Sequence, residues 1–467
     1  MKNNLFSPRL HRLIYALTGI ALLISSVALV AHAQSGRPTS LIRDTEIENY
    51  LKEWAYPVIK AADLDPDSVN IILVQDDNIN AFVAGGQNVF IYSGLLTKSK
   101  NPGEVIGVLA HELGHIRGGH LVRTKDAMEN ASYEAMLGTI LGIGAAILSG
   151  DGGAAAAVSA GTSGMALNRL LAFSRIQESS ADQAAVSYLE RARLNPGGLV
   201  SFMERLADEE LLPLSQQSEY VRTHPLTRDR VESLKAGTEK SSYTNAAAPT
   251  VWQDQHDRMI AKLVGFVTPD HVIWNYSDKD ASVPARYARA IAAYRQNRTD
   301  EALRLIDGLL ATEPKNAYFL ELKGQMLGDF GRIGQAVPFY RQASELQPDA
   351  GLIRTAYAHS LIETAGTDPQ QLEDAIRHLK RAQRDEPRST RIHRLLAIAY
   401  GKIGDDAMAK LHLAEEALLQ RRPAQARTQA EAAAAGLRQG SPGWIRAQDI
   451  ITQAALNEEK SKGSKRN

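Results

Sequence analysis

The sequence predicts an α+β zincin-like domain followed by an all-α solenoid of tetratricopeptide (TPR) repeats. Three observations lead to this fold class. β-Branched runs alternate with amphipathic helical patterns in the first half, and an HExxH sequence at 111–115 falls on one of those helices. In the second half, prolines recur at a spacing near that of a TPR unit. At 467 residues the chain is long enough for two domains.

Composition narrows the classes of function. Hydrophobic residues make up 44% and charged residues 23%, which are ordinary values for folded proteins. With 53 basic and 53 acidic residues, the chain lacks the cationic excess of a nucleic-acid binder, so no nucleic-acid partner is expected. It contains no cysteine, which excludes thiolate zinc sites and thiol nucleophiles. Any metal must therefore be held by histidine and carboxylate.

Residues 1–33 have the pattern of a cleaved secretory signal peptide. A positively charged start precedes an apolar run from Leu13 to Val30, and the small-residue site Ala31-His32-Ala33 follows. An uncleaved membrane anchor is the alternative, because a largely apolar run of 18 residues is near the minimum for spanning a bilayer. We expect cleavage after Ala33, and hence an exported protein.

The first domain, residues 34–270, reads as a polar lead followed by mixed elements. Patterning predicts helices over Asp44–Ala62 and Glu104–Ile116, the second ended by Gly118-Gly119, with β segments at 69–74, 81–83 and 88–92. Further helices are predicted at 170–192 and 199–212. Between them, 136–148 reads as a buried or interfacial helix and 150–165 as a mobile loop, with peripheral membrane contact through 136–165 as the alternative.

The second domain, residues 283–456, follows a linker at 271–282 and precedes a charged tail, 457–467, that we expect to be disordered. Pro314 and Pro348 lie 34 residues apart, and Pro387 follows after a short insertion. Small residues recur where paired helices would cross, which favours TPR repeats over an alanine-rich bundle without TPR geometry. They are Ala290, Gly324, Ala358 and Ala397 at one repeat position, and Ala302, Ala336, Ala375 and Ala409 at another.

The HELGH sequence at 111–115 carries the predicted chemistry. At about 3.6 residues per turn, His111 and His115 share a helix face, so both imidazoles can converge on one Zn²⁺ while Glu112 reaches its water. Zinc lowers the pKa of that water, and Glu112 would accept its proton and later deliver it to the leaving amine. Apolar flanking residues predict a buried helix, where these polar side chains would be costly without a metal.

A third zinc ligand must come from elsewhere in the chain. His120 follows a helix-breaking glycine pair, so we expect it on the surface or beside a ligand rather than on the metal. In the ESSAD sequence at 178–182, Glu178 and Asp182 share a helix face. We assign Glu178 as the third ligand and Asp182 as the group that orients a ligand histidine. The alternative is a solvent-exposed helix face that carries two acidic residues.

HExxH followed by ESSAD in the next long helix resembles the gluzincins of the HtpX and CAAX-prenyl-protease types. With a signal peptide and a TPR tail, the chain is similar to the periplasmic BepA-like β-barrel assembly-enhancing protease family. The resemblance spans residues 45 to about 456 and includes the NAFVAGG segment at 80–86, THP at 223–225, and Arg230. Members of this family carry cysteines in the TPR part, and this chain has none.

The resemblance implies a role for each matching residue. His111, His115 and Glu178 would bind zinc with Glu112 as the base, and His224 would take the fourth zinc position in a latent state. On its own, His224 reads as a loop residue that caps a turn. Arg230 would stabilise an oxyanion or substrate carbonyl. The alternative is that Arg230 forms a salt bridge on the surface. Segment 80–86 would pair with an extended substrate strand. The alternative is that this segment forms an internal hairpin.

We therefore expect a periplasmic zinc endopeptidase that degrades misfolded or stalled outer-membrane proteins and assists β-barrel assembly. By the resemblance, its partners would be unfolded or stalled outer-membrane β-barrel proteins and the β-barrel assembly machinery, docked through the TPR part. The rival is a TPR chaperone or scaffold with a structural or silenced zinc site, although a structural site has no need of Glu112. A protease for lipid-modified peptides would need several membrane spans, which the mature sequence lacks.

Overall fold

A computed structural model of the protein describes residues 40–121, 175–213 and 216–464. The predicted signal peptide, the 136–165 segment and the first residues of the predicted helix 170–192 lie outside the described residues. Within the described ranges, the search for a helix with the length and apolar character needed to cross a membrane found none.

A four-stranded sheet forms one layer of the first half, with strand order β1-β2-β4-β3. Strands β2 and β4 are parallel, and the other two pairs are antiparallel, so β3 and β4 form a hairpin with β3 at the sheet edge. The strands are β1 Ser40–Ile42, β2 Asn70–Gln75, β3 Ala81–Ala84 and β4 Asn88–Tyr92. The prediction of a polar lead before the first helix is wrong for β1, because three residues pairing with β2 are too few to show strand alternation.

Helices cover the sheet and enclose the core of the first half. Helix α1 begins after Asp44, whose side chain accepts a hydrogen bond from the amide of Ile47, and it buries Trp54 and Val58. Helix α3 begins at Pro102 after the cap Asn101. The helices are α1 Thr45–Ala61, α2 Ser93–Lys98, α3 Pro102–Arg117, α4 Arg175–Arg191, α5 Gly197–Ala207, α6 Glu219–Thr223 and α7 Arg228–Glu239.

One predicted helix ends elsewhere in this half, and three observed helices were not predicted. The helix predicted over 199–212 ends at Ala207, and a 3₁₀ turn, Asp208–Leu211, follows it. Helices α2, α6 and α7 are absent from the prediction, because no helical apolar period was identified in their sequences.

Glycines let α3 and α5 pack at very short range. A Cβ atom on Gly198 would lie 2.2 Å from the carbonyl oxygen of Gly103, and one on Gly107 would lie 2.6 Å from the backbone nitrogen of Leu199. Since real Cβ atoms cannot approach so closely, only glycine permits this crossing. The contact fixes α3, which carries the HExxH sequence, against its neighbour.

All regular elements among the described residues of the second half are helices, which confirms its predicted helical character. Successive helices pack on one another, and Ala290, Ala302, Ala336 and Ala358 are fully buried between them. The helices are α8 Thr250–Val267, α9 Val272–Asn275, α10 Val283–Arg295, α11 Thr299–Thr312, α12 Ala317–Asp329, α13 Ile333–Leu346, α14 Gly351–Thr364, α15 Pro369–Asp385, α16 Thr390–Lys402, α17 Asp406–Leu419, α18 Pro423–Gly436 and α19 Pro442–Ser464.

Helix α19 continues to Ser464, well into the range 457–467 that composition predicts to be disordered. The prediction is wrong for residues 457–464, because α19 is anchored by the buried Ala447, Ile450 and Ala454 and its helical backbone continues from that packed part.

Helix α8 joins the two halves, because it packs against both α1 and α10. The buried ammonium of Lys262 lies 2.7 Å from Asp44 Oδ2 and 3.0 Å from Glu46 Oε2. From the second half, the hydroxyl of Tyr287 donates to the same Glu46 at 2.8 Å. A further ion pair, Arg43 with Glu386, crosses between the halves, and Arg258 of α8 pairs with Glu313.

Candidate metal centre

Helix α3 brings the two predicted histidine ligands together. His111 and His115 lie one helical turn apart, both are fully buried, and their Nε2 atoms are 3.0 Å apart. Their rings meet edge to face, with centroids 4.7 Å apart. The same nitrogen of each ring therefore points to one place.

Helix α4 supplies a carboxylate to that place. Glu178, also fully buried, lies 3.4 Å from His111 Nε2 through Oε2 and 3.3 Å from His115 Nε2 through Oε1. The two helices approach closely at Gly114, where a Cβ atom would lie 2.9 Å from the carbonyl oxygen of Ala181. A larger residue at 114 would push Glu178 away from the histidines.

Asp182 lies one turn further along α4 and faces the other ring nitrogen of His111, with 2.9 Å between Oδ1 and Nδ1. Arg230, from α7, donates to Asp182 through Nε and Nη2 at 2.8 and 2.9 Å, and its Nη1 lies 2.9 Å from Glu178 Oε2. The same Nη1 donates to the carbonyl oxygen of Pro225. Arg230 is 5% exposed, so it is not on the surface, and these contacts engage all three guanidinium nitrogens.

His224 ends helix α6 and reaches the same centre. Its Nδ1 lies 3.1 Å from Glu178 Oε1, and its Nε2 lies 3.2 Å from the carbonyl oxygen of Ala81 and 3.6 Å from Glu112 Oε1. The ring packs on Tyr220 with centroids 4.6 Å apart. His224 therefore joins the candidate ligands to the edge strand β3.

Glu112 faces this centre with both carboxylate oxygens buried and without a hydrogen-bond partner among the described residues. The hydroxyl of Tyr220, also fully buried, is in the same situation. Leaving buried polar atoms unpaired costs free energy, so they are typical of positions that meet a ligand, ion or water. Tyr220 carries no motif, and nothing in the sequence indicates its position.

The electrostatics follow from burial and from the two carboxylates. Burial disfavours the charged form of His111, but Asp182 and Glu178 outweigh it and raise the pKa of His111 to about 10. Burial and the neighbouring His111 lower the pKa of His115 to about 3. Burial also raises the pKa of Glu112. Burial acts in the same direction on Glu178, but His224, His111 and His115 together outweigh it and lower the pKa of Glu178 well below its usual value.

Four side chains meet the requirements of a divalent cation. His111, His115, Glu178 and His224 each offer a ligand atom, and these atoms all lie within 4.8 Å of one another. Nitrogen and carboxylate donors of this kind suit zinc, and the unpartnered Glu112 stands beside them as a base would. The residues present therefore fit a metallopeptidase centre.

His120 is buried, at 2% exposure, so of its two expected positions it takes the one beside a ligand and not the one on the surface. It lies against a candidate ligand instead, because its Nδ1 is 2.9 Å from the Nδ1 of His115. The turn after the helix returns His120 to the helix that carries His115, an outcome that the glycine pair alone does not reveal.

Comparison with known families agrees with this centre. Residues 43–238 match the model of Peptidase family M48, and this range contains every residue described above. Residues 43–238, the range that holds this centre, are thus similar to the metallopeptidase domains of that family.

Several proteins are similar over most of their length. The Beta-barrel assembly-enhancing protease of Escherichia coli (strain K12) is 26% identical over 341 residues, which cover 71% of this chain and 68% of that protein. A putative beta-barrel assembly-enhancing protease of Vibrio cholerae is 24% identical over 79% of this chain and 75% of its own length. Metalloprotease LoiP of Escherichia coli is 30% identical, over 36% of this chain and 62% of its length.

Proposed function

We propose that the protein is a zinc endopeptidase in which His111, His115 and Glu178 hold the metal. The observation that carries the proposal is the convergence of two histidine Nε2 atoms, 3.0 Å apart, with a buried carboxylate at 3.3 and 3.4 Å. A bound zinc ion would supply Lewis-acid polarisation of a peptide carbonyl and lower the pKa of water.

Glu112 would be the general base. Its carboxylate is buried without a hydrogen-bond partner among the described residues, and burial raises its pKa toward the range in which a base works best at neutral pH. It would take a proton from the attacking water and deliver it to the amine that leaves. Neither step needs another described side chain.

Asp182 and Arg230 would position the ligands. A ligand histidine that offers Nε2 to a metal carries its proton on Nδ1, and the Nδ1 of His111 lies 2.9 Å from Asp182. Arg230 neutralises Asp182 and also contacts Glu178. These contacts favour a positioning role for Arg230 over the expected stabilisation of an oxyanion, because all three nitrogens of its guanidinium are engaged.

His224 would be a fourth ligand in a closed state. It stands among the candidate ligands, with its Nδ1 3.1 Å from Glu178, on a short helix whose departure would open one position. A fourth protein ligand takes the place that water needs, so the closed state would be inactive. Such a latch would limit cleavage by an exported protease.

Strand β3 would bind an extended substrate. The amide of Tyr92 donates to the carbonyl oxygen of Asn80, which places the backbone groups of Ala81 and Val83 on the side of β3 away from β4. The Ala81 carbonyl oxygen faces His224 on that side. Movement of His224 would therefore free both a metal position and the main-chain groups that an incoming strand could use.

Location and partners follow from the predicted signal peptide and from the relatives. We propose a periplasmic protein that acts on misfolded or stalled outer-membrane β-barrel proteins and assists their assembly. Residues 283–456 would form a TPR solenoid that docks clients or the β-barrel assembly machinery, which is supported by the buried small residues between successive helices.

The rival function is a chaperone or scaffold whose metal only stabilises the fold. A Glu112→Gln variant separates the two, because it removes the base and leaves the proposed ligands. We expect casein cleavage to fall about 10²- to 10⁴-fold with one zinc per chain retained. Metal analysis and cleavage should be measured beside Glu373→Gln, which changes an exposed glutamate on α15 and should have no effect.

A second measurement follows assembly of a β-barrel client in cells that depend on this protein. Failure of both cleavage and assembly in Glu112→Gln would support the endopeptidase. If assembly persists while cleavage is lost, binding is the principal function. If the wild type binds no zinc, or if Glu112→Gln cleaves casein normally, the proposal is wrong.

A further inference from the structure

The two proposed histidine ligands differ in what contacts their second ring nitrogen. For His111, the contact is the carboxylate of Asp182, at 2.9 Å from Nδ1. For His115, it is another imidazole, because His120 Nδ1 lies 2.9 Å from His115 Nδ1. The rings of His115 and His120 meet nearly at right angles, with centroids 5.0 Å apart.

The geometry fixes the direction of this hydrogen bond when a metal is bound. The Nε2 of His115 points to the centre, and a ligand nitrogen must be unprotonated, so the proton of the neutral ring lies on Nδ1. That N–H must donate, and the Nδ1 of His120 is 2.9 Å away. His120 then accepts at Nδ1 and, if neutral, carries its own proton on Nε2.

The chain makes room for this ring immediately after α3. Gly119 has a φ of +62°, in the left-handed region, and it turns the backbone so that His120 folds back onto its own helix. A Cβ atom on Gly118 would lie 2.5 Å from His120 Nε2 and 2.9 Å from two ring carbons. Glycine at 118 is therefore required for the ring to occupy its position.

We propose that His120 is a positioning residue that holds the metal-binding ring of His115 through an Nδ1–Nδ1 hydrogen bond, with Gly118 leaving the space that its ring occupies. This inference rests on the proposed metal site. His115 thus has a neutral acceptor, His120, whereas His111 has a charged one, Asp182. The charge of Asp182 is balanced by Arg230. His120 fixes the orientation of the ligand without adding a negative charge to the centre.

The test uses zinc affinity of the full chain, measured by competition with a chelator, together with the unfolding midpoint of the metal-free protein. His120→Phe keeps a flat ring and removes the acceptor, so zinc should bind about 10- to 100-fold more weakly. His120→Asn places an amide oxygen near the position of Nδ1 and should recover most of the affinity. The metal-free midpoints of both variants should agree.

A double-mutant cycle tests the role of Gly118. Its backbone is right-handed helical, so Gly118→Ala is compatible with the fold except for the collision with His120. Gly118→Ala should weaken zinc binding about as much as His120→Phe does. In a His120→Ala background, Gly118→Ala should have no further effect, because the ring that it displaces is gone.

The outcomes separate the two proposals. A wild-type chain that binds no zinc would contradict the proposed metal site itself. If the wild type binds zinc and His120→Phe binds it equally well, the site stands and the role of His120 is refuted. The same holds if His120→Asn fails to recover affinity, or if Gly118→Ala and His120→Ala weaken binding independently.

Discussion

Arg230 binds Asp182 through two nitrogens, at 2.8 and 2.9 Å, and contacts Glu178 with the third. One buried cation thus holds two carboxylates on successive turns of α4, one facing a ring nitrogen of His111 and the other facing both proposed ligand histidines. Helix α7 is therefore part of the centre, although it contributes no proposed ligand.

This relationship predicts a large effect of Arg230→Met on stability. Removing the cation takes from the buried Asp182 and Glu178 the charged partner that they share, and we expect the free energy of unfolding of the metal-free protein to fall by about 3–5 kcal/mol. Urea denaturation measures it. The matched control is Arg191→Met, which breaks an exposed pair with Asp63 and should change the free energy of unfolding far less than Arg230→Met does. Similar losses in both variants would contradict the role assigned to Arg230.

Replacing His224 should activate the protease. His224→Ala removes the side chain that stands 3.1 Å from Glu178, which should favour the open state and raise the rate of casein cleavage by roughly tenfold, if closure is worth about 1.4 kcal/mol. His271→Ala, at an exposed histidine, is the control and should leave the rate unchanged. An unchanged rate for His224→Ala would contradict the proposal that His224 closes the site, but it would not contradict the proposed peptidase activity.

The crossing of α3 and α5 should not tolerate a methyl group. Gly198→Ala would place a Cβ atom 2.2 Å from the Gly103 carbonyl oxygen, and we expect a loss of about 1–3 kcal/mol in the free energy of unfolding. Gly334→Ala in α13 meets nothing within 4 Å, and it should gain up to about 1 kcal/mol. Equal effects of the two substitutions on urea denaturation would argue against close packing at Gly198.

A histidine pair in the second half should make stability depend on pH. His393 and His412 are buried, with their Nδ1 atoms 3.2 Å apart, and burial together with the neighbouring His393 and Lys380 lowers the pKa of His412 from 6.5 to about 3. As the pH falls, the unfolded chain binds a proton at this histidine near pH 6.5, whereas the folded chain binds it only near pH 3. The contribution of His412 to the free energy of unfolding is therefore present above pH 6.5 and is lost as the pH falls toward 3.

We expect the wild type to lose about 1–2 kcal/mol through His412 between pH 7.5 and pH 5. Urea denaturation at the two pH values measures the loss, and His412→Gln should reduce it. His271→Gln, at an exposed histidine, should leave the pH dependence as in the wild type. An unchanged pH dependence in His412→Gln would show that the pair does not control acid stability.

Local periodicity predicted the elements that repeat a simple pattern. An HExxH sequence on a helix requires His111 and His115 to share a face, and ESSAD places Glu178 and Asp182 together in the same way. The structure brings these four side chains to one centre. Such relationships can be predicted from the sequence because each depends on the geometry of a single helix and not on how helices pack.

Features that depend on two distant segments could not be predicted in this way. The position of Arg230 depends on how α7 packs against α4, and that of His120 depends on the left-handed turn at Gly119. Strand β1 exists only because β2 lies beside it. Neither propensity nor periodicity reports such pairings, because the free energy that decides them comes from tertiary contacts.

Lys262, Glu46 and Tyr287 form a buried polar junction to which both halves contribute, and α8 and α10 meet so closely that a Cβ atom on Gly265 would lie 2.8 Å from Ile291. If either half were expressed alone, the residues of this junction would lose their partners, and charged and apolar surface would be exposed to solvent together. Dissection at the apparent linker would then report on damaged fragments, and assignment of cleavage to one half and client capture to the other requires substitutions in the intact chain.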